Sequence, residues 1–83
     1  DITDLLDILS NNWKNLLPQY KNVRLEQQGN NQLKLIVKTI DEQRLMQWLW
    51  AMQKQYSFKI VSLHMSKLSQ VGIVNADMVL QII

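Results

Sequence analysis

Apolar positions along the chain fall first at helical spacing and then in strand alternation, and this succession occurs twice. In residues 1–17, Leu5, Leu6, Ile8, Leu9, Trp13, Leu16 and Leu17 recur every three or four positions, with Asp4, Asp7, Asn11, Lys14 and Asn15 between them. That spacing predicts an amphipathic helix, capped by Asp1, Thr3 or Asp4 and ended by Pro18. Val23 and Leu25 then alternate with Arg24 and Glu26 as a short strand. Gln28-Gly29-Asn30-Asn31 supplies a hairpin turn, and residues 32–38 return with Leu33, Leu35 and Val37 on one side.

The second unit opens at Asp41, a candidate N-cap, and places Leu45, Trp48, Leu49 and Met52 on a helical stripe that Met46 and Trp50 widen. Residues 58–67 carry two alternations out of phase, Phe58 with Ile60 and then Val61 with Leu63 and Met65, which a bulge near Ile60 would reconcile. Gly72 marks a second turn, after which Val74, Ala76, Met78, Leu80 and Ile82 share one face of a final strand. Two helix-strand-strand units in series predict an α+β fold of order αββαββ, with a four-stranded antiparallel sheet and both helices on one face. This is a circularly permuted ferredoxin-like arrangement, with the second and fourth strands central and the first and third at the edges. Ile36, Ile40, Val79 and Ile83 fall on the nominally open side of that sheet.

Composition narrows the function classes. Eighty-three residues make one domain, 1–83, and no cysteine is present to supply a disulfide or thiolate site. Net charge is +2, with the basic residues scattered and never adjacent, which disfavours a phosphate-tracking stripe. No apolar run reaches the length of a membrane span, and the abrupt start at Asp1 suggests a piece of a longer protein.

Reactive groups are sparse. His64, the single histidine, lies between Leu63 and Met65 with no Cys, Asp or Ser at motif spacing, the pattern of a surface histidine rather than a base or ligand. Asp4 and Asp7 complement a helix amino end better than they form a catalytic pair. Gly29 and Gly72 each stand alone, as turn residues and not as a phosphate loop. The central strands lack aromatics, so base stacking of the kind RNA-binding sheets use is disfavoured. No catalytic, cofactor or metal site is expected. Trp13 and Trp48 read as core, whereas Trp50, two residues from Trp48, points elsewhere and is a candidate interface anchor.

The second half carries a family pattern: Leu45-x-x-Trp48-Leu49-x-x-Met52-Gln53-x-x-Tyr56, then Val61-x-x-His64, then Gly72-x-Val74-Asn75-Ala76-x-x-x-Leu80. It resembles the carboxy-terminal domain of protein M of the bacterial type II secretion system, with Ser57 and Val71 where that family often has glycine and proline. The resemblance implies a periplasmic domain of a single-pass inner-membrane protein, anchored by a span upstream. It implies a non-enzymatic scaffold without cofactor or nucleic acid, forming homodimers and pairing with the L protein and other components of the inner-membrane platform. Edge-strand addition beside an apolar helix flank would provide the contact, and Leu16, Tyr20, Val23 and Leu25 at the first edge, with Trp50, are the expected protein-binding residues. The alternative is a small ligand- or RNA-binding ferredoxin-like domain.

Overall fold

The computed structural model describes all residues, 1–83, and contains two helices and four strands in the order α1 (Ile2–Leu16), β1 (Val23–Gln28), β2 (Gln32–Asp41), α2 (Glu42–Gln55), β3 (Phe58–Lys67) and β4 (Ile73–Ile82). The strands form one antiparallel sheet of order β1-β2-β4-β3, with the two most regularly alternating strands in the middle, as the ferredoxin-like expectation required. Residues in register across an antiparallel pair share a face. Leu35 opposite Met78 and Leu33 opposite Leu80 therefore build one apolar layer, and both helices lie on it.

Local chemistry sets the ends of each element. The Asp1 carboxylate accepts from the N–H groups of Thr3 (2.8 Å) and Asp4 (3.1 Å), satisfying donors that the first turn of α1 leaves free. Asp41 does the same for α2 by accepting from the Arg44 N–H at 3.1 Å. Gly29 and Gly72 occupy the two turns with φ of 70° and 83°, a left-handed geometry that costs glycine little. The Gly72 carbonyl also accepts from the Glu42 N–H at 2.9 Å, which ties the β3–β4 turn to the start of α2.

The core is entirely apolar: eighteen residues are buried and none of them is polar or charged. Helix α1 contributes Ile2, Leu5, Leu9 and Trp13, a stripe narrower than its full set of apolar residues, since Ile8 and Leu16 remain exposed. Helix α2 contributes Leu45, Trp48, Leu49 and Met52.

Two bulges adjust the sheet. In β3 the register shifts between Ile60 and Ser62, so Val61 is the extra residue that reconciles the two alternations. In β2 the register shifts between Val37 and Ile40, where Lys38 and Thr39 together oppose Asn75. This second bulge corrects the placement of Ile40 on the open side. One extra residue inverts the alternation, and Ile40 is fully buried with Val37 in the core. Thr39 takes φ of 58°, and its N–H donates to the Asn75 Oδ1 at 2.9 Å, so the side chain of β4 replaces the ladder bond that the bulge removes.

A β-branched residue at positive φ is strained. Thr39→Gly is expected to raise the unfolding free energy by about 0.5–1 kcal/mol, because relief of that strain exceeds the entropy glycine loses on folding. Urea denaturation measures it, and a loss of stability instead would mean that the bulge does not hold residue 39 in the left-handed region.

Candidate interaction surfaces

No group of His, Cys, Asp and Glu residues is placed to hold a metal ion, and no helix is long and apolar enough to cross a membrane. His64 lies exposed on β3 across from Asp77, without an ion pair. The features with chemical potential are the sheet edges and the apolar residues beside them. An edge strand leaves half of its backbone N–H and C=O groups without partners, which is the requirement for adding a further strand.

At the first edge, β1 pairs only with β2, and its inward residues Val23 and Leu25 lie opposite Val37 and Leu35. Both are half-buried, because α1 covers them only in part. A shallow groove of about 150 Å³ remains, lined by Ser10, Trp13, Lys14, Val23, Leu25 and Leu35. Leu16, 57% exposed, stands at the carboxyl end of α1, above the link that leads into β1.

That link is held by a tryptophan. The Trp13 indole N–H donates to the Tyr20 carbonyl at 3.0 Å, and the Tyr20 N–H donates to the Leu17 carbonyl at 3.1 Å. Beyond it the Lys38 N–H donates to the Asn22 carbonyl at 3.0 Å, which sets the start of β1 against β2. Tyr20 thus has two parts: its backbone positions the edge, while its half-buried ring packs on the core. Of the five residues expected to bind protein, Leu16, Tyr20, Val23 and Leu25 fall together at this end of α1 and β1.

Trp50 lies elsewhere. It is 57% exposed on α2 and lines a separate groove of about 640 Å³, between the first turns of that helix and the β3–β4 turn. Leu68, Val71 and Met46 share that groove. Val71, 97% exposed, and Leu63 are not marked as contact residues by the sequence pattern; the phase change in β3 is a signal for Leu63, and Val71, in the β3–β4 turn, has none.

A family model described as type II secretion system (T2SS), protein M, matches residues 15–81, more than half of the chain. The match begins near the end of α1 and takes in α2 and every strand except the last residue of β4. Searches of curated proteins and of solved structures returned no match.

Trp13→Phe keeps most of the ring but removes the donor to the Tyr20 carbonyl. The expected result is a loss of about 1–2 kcal/mol with faster amide exchange across residues 20–25 than in α2. Hydrogen exchange read by NMR distinguishes this from uniform destabilisation, which would show that the indole bond does not position the first edge.

Proposed function

The chain belongs to the family of type II secretion system protein M, and from that premise we propose that it is a non-enzymatic scaffold domain of the inner-membrane assembly platform, placed in the periplasm by a membrane anchor. A role in type II secretion follows from the family itself. In the finer reading, the domain forms homodimers and pairs with the periplasmic domain of the L protein.

One observation carries this reading: β1 is a free edge flanked by a half-covered apolar groove and by the exposed Leu16. Strand addition there would pair backbone groups of the partner with those of β1, while side chains of the partner cover Val23 and Leu25. Backbone pairing supplies much of the affinity and side chains choose the partner. A homologous domain with a similar edge could therefore take the place of a second copy, which suits a protein that exchanges between self-association and pairing.

The exposed polar residues of α1 leave room for such an approach. Ser10 and Lys14 rim the groove, and the only ion pair in the structure lies at the opposite end of α1, between the amino group of Asp1 and Asp4. No buried polar side chain lacks a partner.

Solution mass across a dilution series, with titration of the L protein's periplasmic domain, tests the proposal. A concentration-dependent dimer is expected, and Leu16→Asp together with Leu25→Lys should weaken both associations at least tenfold, about 1.4 kcal/mol, with the circular dichroism spectrum unchanged. A strictly monomeric chain at high micromolar concentration that also ignores the L domain would overturn it.

A further inference from the structure

Backbone geometry decides which residues of β1 present its free edge. In an antiparallel pair, residues that exchange hydrogen bonds with the facing residue alternate with residues whose N–H and C=O point away from it. The Lys38 N–H donates to the Asn22 carbonyl, so the bonded pairs between β1 and β2 continue with Arg24 and Ile36, then Glu26 and Lys34. The far side of β2 agrees. There the Ile82 N–H donates to the Asn31 carbonyl, which turns Leu33, Leu35 and Val37 toward β4 and leaves Lys34 and Ile36 for β1. The unpaired N–H and C=O groups of the edge therefore belong to Val23, Leu25 and Gln27.

The two faces of this edge differ. Val23, Leu25 and Gln27 are in register with Val37, Leu35 and Leu33, all buried, so their side chains lie on the helix side. Arg24 and Glu26 are exposed on the open side, and neither is in an ion pair. One cation and one anion thus stand two positions apart along the edge.

A second copy added antiparallel must set its own outward residues against these, so its register slips only two residues at a time. With Leu25 opposite the partner's Leu25, Arg24 faces the partner's Glu26, and Glu26 faces the partner's Arg24. A slip in one direction sets Leu25 against Val23 and Arg24 against Arg24. A slip in the other sets Leu25 against Gln27 and Glu26 against Glu26. Opposite charges directly across a strand pair stabilise it and like charges destabilise it, so the first alignment is preferred over both of its neighbours.

We propose that two copies join at β1 in this single register, with the two-fold axis at Leu25 and with Arg24 and Glu26 as the residues that fix it. The inference rests on the β1 edge being the contact surface, and adds its alignment and its selectivity. Each contact occurs twice, as two-fold symmetry requires. Glu26 then lies between Lys34 of its own β2 and the partner's Arg24, so charge alternates along the exposed row. On the helix side the two copies of Leu25 meet, and each half-covered groove is closed by the other copy. Lys14 is the one charged residue lining that groove; it is exposed, and its flexible stem keeps the ammonium in water. A homologous domain competes best for the edge when its own edge strand carries a base and an acid two positions apart in the same order.

The chain contains no cysteine, so single cysteines report the alignment directly. Arg24→Cys, Leu25→Cys and Glu26→Cys are each oxidised mildly at concentrations where the chain is dimeric. Leu25→Cys is expected to give a covalent dimer, because directly opposed residues have Cα atoms about 5.5 Å apart, within the span of a disulfide. The other two should crosslink far less, since the matching residues are then offset beyond about 7 Å. In a second arm, Arg24→Glu and Glu26→Arg should each weaken self-association about tenfold by sedimentation. An equimolar mixture of the two should regain nearly the original affinity, because each supplies the charge that the other lacks. Arg24 and Glu26 are exposed, so this arm stays readable even if Leu25→Cys loses its fold.

Preferred crosslinking at position 24 or 26, equal crosslinking at all three, or a mixture no tighter than its separate components would overturn the register. If Leu16→Asp with Leu25→Lys still weakens the dimer in that case, the β1 reading stands without it. Absence of any dimer overturns both.

Discussion

The contact between Trp13 and Trp48 joins the two halves of the molecule within the helix layer, as the β2–β4 ladder does within the sheet. Their rings meet edge to face, with centroids 4.9 Å apart and planes at 79°, the geometry that the aromatic quadrupole favours. Each buried indole also needs a partner for its N–H. Trp48 finds it across the helix pair, in the Asn12 side-chain oxygen at 2.7 Å, and Trp13 finds it in the link to β1. One aromatic pair thus joins α1 to α2 and, through Tyr20, joins the helix layer to the edge of the sheet. The β2–β4 ladder joins the same two halves within the sheet, and the aromatic pair adds the link within the helix layer, where no disulfide or metal site does so.

Once the helices are joined in this way, the rest of the surface follows. The apolar face of β2 and β4 is consumed, and what remains are two edges with different characters. The β1 edge is short and partly shielded by α1, beside Leu16. The β3 edge is longer, broken by a bulge, and carries Leu63 and Val61 exposed. A four-stranded sheet with both helices on one face leaves two edges at its margins, each open to strand addition.

Much of this was legible in the sequence. Helix periodicity named the buried stripe of α2, and alternation identified β4 and most of β2 with the right face inward. The clash of phases in residues 58–65 announced the bulge at Val61. The bulge at Lys38–Thr39 left no such mark. Threonine is not a residue that turn chemistry flags, and its support comes from Asn75, thirty-six positions away. Ile40 was consequently assigned to the open face although it lies in the core. Trp50 widens the helical stripe of α2 and is exposed, whereas Leu16 fits the spacing of α1 and is exposed nonetheless; the pattern does not say that the two lie in different places, because that depends on strand order.

The central claim is that the tryptophan pair couples the two helix-strand-strand units into one cooperative body. A double-mutant cycle on Trp13→Leu and Trp48→Leu, with stability read from urea denaturation, tests it most directly. The account predicts that each replacement costs several kcal/mol and that the double variant loses less than the sum by about 1 kcal/mol or more, since either change alone already breaks the pair. Strict additivity of the two losses would contradict it.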